Sequence, residues 1–311
     1  MAEMKSLRIA YGEALVQAGK LDDRIVVLDA DVSSATMTNI FKKAYPDRHY
    51  NFGIAEANMV CAATGMAQSG LIPFVSTFAL FGAARAFEPL RNSVAYMGAN
   101  VKLGLSHSGL SVGEDGGSHQ AVEDIALMRL LPGMTIFVPC DAFEMEKAVK
   151  AAVEIDGPVY IRVARPVTEY FTAKDDPFVP GKANILRDGK DAAIFAAGLM
   201  IEQALAAAKI LEGEGISAAV VNFHTIKPFD QDTALEFANR CGVVVTAEEH
   251  SIIGGLGSAV AQALMGKANC KFDMVGIRDS YGKSGDPALL FKEYGLTAED
   301  IAGKVRDKVG I

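Results

Sequence analysis

No excess of positive charge is available to this chain: 30 lysines and arginines face 38 aspartates and glutamates, a net charge of −8. Binding along a nucleic-acid backbone needs a basic footprint, so nucleic acid is excluded as the expected partner. Cysteine is also scarce. Cys61, Cys140, Cys241 and Cys270 stand far apart, with no C-x-x-C pair and no framework spacing. That argues against a disulfide scaffold and for a reducing, cytoplasmic setting. The opening M-A-E-M-K-S-L-R lacks the apolar run of a signal peptide. A charge-free stretch does run over 57–84, long enough to span a bilayer, but Gly65, Gln68-Ser69-Gly70 and Pro73 interrupt it. It reads as a buried helix, a strand and a second helix, so no membrane association is expected. No sequence repeat links the two halves of the chain.

What is present fits an α/β protein. Half of the 311 residues are apolar, enough for one large core or two of ordinary size. Short β-branched or apolar runs at 24–29 (R-I-V-V-L-D), 72–75, 101–105, 135–138 and 158–163 alternate with segments of helical spacing such as 83–97 and 142–153. This alternation predicts a doubly wound, mostly parallel sheet. Over 168–190 the composition turns to Asp175-Asp176-Pro177, Pro180-Gly181 and lysines, as in a surface linker. The pattern then restarts, with strands expected at 192–197, 218–223, 243–247 and 274–277 and helices at 201–212, 230–240 and 256–265. The expected division is a first domain over 1–170, a linker over 171–190 and a smaller α/β domain over 191–311.

The chemistry concentrates in S-H-S-G-L-S-V-G-E-D-G-G-S-H-Q, from Ser106 to Gln120, which holds two histidines, two carboxylates and four glycines. Such a stretch cannot form a continuous helix. Glycines let backbone approach a ligand closely, and titratable side chains on a loop can converge on one small polar molecule. His107, Glu114, Asp115 and His119 do not have a recognised zinc spacing, and Gly116-Gly117 breaks any helix that would align Asp115 with His119. A second motif, N-F-G-I-A-E-A-N-M, runs from Asn51 to Met59 and places Glu56 in the first turn of an apolar helix. Read alone, that carboxylate stabilises a helix start.

Together these motifs, with S-L-R-I-A-Y-G-E-A-L from Ser6 and E-E-H-S-I-I-G-G-L-G-S-A ending at Ala259, resemble the middle and C-terminal domains of transketolase over nearly the whole chain. Deoxyxylulose-phosphate synthase and the beta subunits of 2-oxo acid dehydrogenases share that architecture. The V-G-E-D-G-G-S-H-Q loop resembles transketolase more closely than either. The resemblance implies a thiamine-diphosphate pyrimidine-binding domain and transfer of a two-carbon ketol unit between sugar phosphates. Glu56 would hydrogen-bond N1′ of the aminopyrimidine and favour the imino tautomer that takes the thiazolium proton. Phe81 would stack on that ring, and Phe78 would line its pocket. Asp31 matches an aspartate near it. His119 would face the reactive carbon and substrate hydroxyls, Asp115 would accept from a sugar hydroxyl, and Arg8, His107 and Arg165 would anchor the phosphate. Two positions depart from the family pattern: Ala84 stands where a tyrosine is common, and Ala35 where a serine usually completes the anchor.

One family element is missing. Mg²⁺ and the diphosphate are held in such enzymes by a G-D-G segment and a later Asn, and nothing from Gly113-Glu114-Asp115-Gly116 onward supplies them. No metal ligand is therefore assigned. The implied partners are an N-terminal transketolase subunit carrying that site, a second copy of this chain in a two-fold heterotetramer, and sugar-phosphate substrates. In the second domain, Gly254-Gly255-Leu256-Gly257 precedes a helix, but Val260 stands where a dinucleotide fingerprint needs a small residue. Those glycines read as a tight turn and close packing. Glu248-Glu249-His250 is polar enough for a site but specifies no reaction, so a structural and subunit-contact role is expected.

Overall fold

The computed structural model describes residues 4–310. Among them, seven strands form one sheet in the order Thr225–Lys227, Thr135–Phe137, Val159–Val163, Lys102–Ser106, Ile72–Phe78, Ile25–Asp29 and His49–Asn51. Its internal pairs are all parallel, and only Thr225–Lys227 joins antiparallel. A second sheet has the order Lys271–Ile277, Val243–Ser251, Ala192–Ala196, Ala218–Asn222 and Asn184–Arg187, parallel except at the last strand. This is the doubly wound α/β class that the periodicity predicts, followed by a smaller parallel α/β unit.

The buried strands explain the layering. Ile25 and Val27 face one core while Val26 and Leu28 face another, the period-two alternation of a strand covered on both sides. The core facing Val26 and Leu28 also takes Phe195 and Val221 from the second sheet, so one hydrophobic layer is shared by both units. The strand Thr225–Lys227 strengthens that union, because it leaves its own unit to pair with Thr135–Phe137. The segment expected as linker is structured as well: Asn184–Arg187 edges the second sheet, and just ahead of the segment Val167–Glu169 pairs with Met4–Ser6. Asp141 pins the part between, accepting from the backbone N–H groups of Phe171 and Thr172 while its other oxygen caps the helix Ala142–Glu154.

The helix expected over 83–97 is not regular. Over Phe81–Arg85 and Leu90–Ala95 the turns widen, with Ala86 N–H donating to Phe81 O at 3.3 Å and Tyr96 N–H to Arg91 O at 3.0 Å, each five residues back. Pro89 lies between the two and lacks an N–H to keep the ordinary ladder. No helix among the described residues is long and apolar enough to cross a membrane.

Candidate active site

Parallel sheets bind ligands past the carboxyl ends of their strands, and several of the expected site residues lie there. Phe78, Ser106 and Val163 are register partners at the ends of three adjacent strands. His107 and Arg165 therefore leave the sheet close together, and Phe81 follows one turn after Phe78. Phe78 is the last residue of its strand, so the two phenylalanines do not share a helix face. Arg8 enters from the first turn of the helix Leu7–Leu21.

The rings form a continuous cluster. Phe78 stacks on Phe81 at 5.8 Å between centroids and lies 4.0 Å from the His107 ring, and His119 meets Phe81 edge-on at 5.2 Å. Beyond Phe81, the Arg85 guanidinium sits 4.6 Å over the ring and donates to Glu56 Oε2 at 3.0 Å. Glu56 is the first residue of the helix Glu56–Gln68 and is 2% exposed. At the opposite end are two arginines. Arg8 donates to Ala35 O at 2.8 Å while its Nε is buried without a partner, a donor available to an anion. Arg165 donates to Val112 O and so ties its own loop to the glycine-rich one.

Electrostatics set the charge of His107. Burial pushes the His107 imidazole down to about 3, with the Arg8 and Arg165 charges and His119 acting in the same direction. His107 is thus neutral near pH 7, bonded at 2.8 Å to Ser106 Oγ, and it presents a dipole rather than a charge to its surroundings. Burial first, and the neighbouring Arg165 charge second, also pull Arg8 down from its ordinary value. An anion between them would relieve that repulsion.

Two candidates stand aside. Asp31 is exposed, takes a left-handed backbone (φ 66°) and exchanges hydrogen bonds with Asn51 at 3.0 and 3.1 Å. Asn51 Oδ1 also accepts from Gly53 N–H, so Asp31 braces the loop that precedes Glu56. Asp115 ends the helical turn Leu110–Asp115, exposed and outside the ring cluster. Among the described residues, no group of three or more His, Cys, Asp or Glu could hold a metal ion.

Comparison with known proteins gives these residues a context. The model of the transketolase pyrimidine binding domain matches residues 3–169, and that of the transketolase C-terminal domain matches residues 181–301. The chain belongs to the transketolase family. It is 42% identical to the 6-deoxy-6-sulfo-D-fructose transketolase subunit SqwH of a Clostridium species, over 95% of this chain and 92% of that protein. It is 39% identical to human transketolase, over 96% of this chain but 48% of the human protein. Among solved structures, a split gene transketolase, described as an inactive beta4 tetramer, superposes with a TM-score of 0.92 at 48% identity, covering 98% of both chains.

Several groups in this transketolase-family chain escape a reading of the sequence. Arg85 follows the T-F-A-L-F segment without a motif of its own, yet it engages both Glu56 and Phe81. Asp29 is buried at the end of its strand, where burial pushes its carboxyl up to about 6 against the pull of the Val32 and Asp31 N–H groups. The larger omission is a buried network between the domains, in which Arg162 bonds Asp124 at 2.7 Å and reaches the backbone of Glu249. The only signal for it was the run E-E-H at 248–250.

Proposed function

We propose that this chain is the pyrimidine-side subunit of a split, thiamine-diphosphate-dependent transketolase that moves a two-carbon ketol unit from a ketose phosphate to an aldose phosphate. The observation that carries this reading is the Glu56–Arg85–Phe81 arrangement. A guanidinium is flat and bears N–H donors, and here it both covers Phe81 and donates to Glu56. The pair thus accepts the type of group an aminopyrimidine is. When bound, thiamine diphosphate supplies a carbon nucleophile that carries the transferred unit. Glu56 would hold the proton at N1′, and Phe81 and Phe78 would exclude water from that face. His119 would bond the substrate hydroxyls and move a proton at the reacting carbon, with Asp115 accepting from a sugar hydroxyl. Arg8, His107 and Arg165 would bind the phosphate, and Asp31 would keep its place beside the ring pocket.

Mg²⁺ and the diphosphate would rest on an N-terminal subunit, a reading supported by the likeness to a split gene transketolase that covers 98% of both chains. A second copy of this chain would complete a two-fold heterotetramer in the cytoplasm. Within it, 1–170 acts as the pyrimidine-side domain, 171–190 as the connection and 191–311 as the C-terminal domain. A sulfonated sugar is a second reading of the donor, supported by the 42% identity to a subunit named for 6-deoxy-6-sulfo-D-fructose; a sulfonate would offer Arg8 and Arg165 anionic oxygens as a phosphate does.

The test is reconstitution. The purified chain, with thiamine diphosphate, Mg²⁺, xylulose 5-phosphate and ribose 5-phosphate, should turn over only when its N-terminal partner is added. Robust turnover by the lone chain would sink the split-enzyme reading, and no turnover with the partner would sink ketol transfer between these sugars.

A further inference from the structure

The glycine-rich loop is held from the second domain as tightly as from the first. Glu249 lies on the strand Val243–Ser251 and is 3% exposed. Its Oε1 accepts the backbone N–H of Ser111 at 2.5 Å, inside the turn that follows Gly109. Gly109 has a left-handed backbone (φ 77°), and a Cβ there would fall 2.4 Å from the Glu249 carboxyl. The side chains around this contact are equally committed. Arg162 Nη2 donates to Glu249 O at 3.0 Å and to Ala121 O at 3.3 Å, so it fastens the end of the loop to the strand below. Gln120 Nε2 donates to Leu110 O, Gly113 O and, across the domain boundary, Lys283 O. A Cβ on Gly116 would lie 2.5 Å from Ser284 Oγ, and one on Gly117 2.6 Å from Gly282 O. These glycines admit the second domain, not a ligand.

We infer that Glu249 is a positioning residue for the active site: through Ser111 it fixes the loop that carries His107 at one end and His119 at the other. The inference rests on the proposed roles of those two histidines. Glu249 Oε1 can accept whether the carboxyl is ionised or protonated, and its loss leaves the buried Ser111 N–H without a protein partner, so the turn is freed. Arg165 then loses a fixed partner too, because Val112 O belongs to the same turn. The second domain would thus shape substrate binding without touching substrate.

Three variants test this: Glu249→Ala, Glu249→Asp and Glu249→Gln. Hydrogen exchange of the free chain reads the loop without cofactor or partner. Glu249→Ala should speed exchange of the amides over 109–120 by about tenfold or more while the strand Ile72–Phe78 keeps its protection. Glu249→Asp, which keeps charge and burial but draws the oxygen back, should do the same. Glu249→Gln retains an acceptor and should stay within about threefold of the parent. In the reconstituted enzyme the first two should raise KM for xylulose 5-phosphate by about tenfold with a smaller change in kcat, and Glu249→Gln should restore it. Unchanged loop exchange in Glu249→Asp, or an unchanged KM despite faster exchange, overturns the inference. Failure of the parent complex to transfer a ketol unit would count against the proposed function, while the exchange result would still decide whether Glu249 holds the loop.

Discussion

Two neighbouring glutamates serve two glycine-rich loops in opposite ways. Glu248 turns into its own domain, where Oε2 accepts from Leu256 N–H at 2.6 Å and Oε1 from Gly257 N–H at 2.8 Å, at the start of the helix Leu256–Leu264. Glu249, pointing to the other side of the strand, crosses to the first domain and takes the Ser111 N–H. In each case a glycine makes room: a Cβ on Gly255 would lie 1.9 Å from Glu248 Oε2, as one on Gly109 would meet Glu249. Both acids are pushed up to about 7, chiefly by burial. The same device caps a helix in one place and holds the glycine-rich loop of the candidate site in the other. Glycine content alone therefore does not mark a ligand site.

The largest expected effect separates chemistry from scaffolding. In the reconstituted enzyme Glu56→Gln should lower kcat by about 10²–10⁴ with an unchanged melting temperature, because the amide keeps the size but cannot share a proton with the ring. Near-normal kcat at saturating cofactor would remove Glu56 from the mechanism. Glu248→Ala should show the reverse pattern. Two buried helix N–H groups lose their acceptor, a cost of about 2–4 kcal/mol in urea unfolding, with KM for sugar phosphates preserved. Should Glu248→Ala change KM as much as Glu249→Ala, the division of labour between the two glutamates would be wrong.

Much of this arrangement was legible beforehand, and the omissions share a cause. The runs at 24–29 and 158–163 differ from the strands Ile25–Asp29 and Val159–Val163 by one residue each, because continuous apolar runs between turn signals are local properties. Glu56, Phe81 and the histidines, which the structure brings near one another, stand out as candidates through motifs, which are also local. His49–Asn51 was missed because H-Y-N has no apolar run, and Thr225–Lys227 because its partner lies in the other sheet. The regular helix expected over 83–97 yielded to wide turns around Pro89. Arg85 and Glu249 are visible only once distant segments meet, and no spacing rule reports that.

A smaller effect sharpens the comparison at the other anchor of the loop. Arg165→Ala should cost about 10- to 150-fold in kcat/KM for phosphorylated sugars, the range for losing a charged hydrogen bond, and leave unphosphorylated analogues unaffected. An equal loss for both would mean that Arg165 works through Val112 and the loop, as Glu249 does, rather than on the phosphate.

The smallest effect is on the pH dependence of stability. A carboxyl raised from 4.5 to about 7 binds a proton in the folded state that the unfolded chain has released. Its contribution is complete below the unfolded value and is lost as pH rises through about 7. Arg162, Asp124 and the Ser111 N–H face this carboxyl, and the attraction of Arg162 limits the shift. Parallel urea titrations of parent and Glu249→Gln between pH 5 and 8 should therefore show the parent losing its relative advantage as pH increases. A difference that stays flat, or grows with pH, would show that Glu249 is already ionised at the acid end.

The central claim is that this chain supplies the pyrimidine half of a shared cofactor site. Calorimetric titration of thiamine diphosphate with Mg²⁺ into the chain, into its N-terminal partner and into their mixture tests it most directly. The account predicts tight, saturable binding only in the mixture, at one cofactor per pair, weakened about tenfold or more by Phe81→Ala through lost stacking. Binding by the lone chain as tight as by the mixture, or a mixture indifferent to Phe81→Ala, would contradict it.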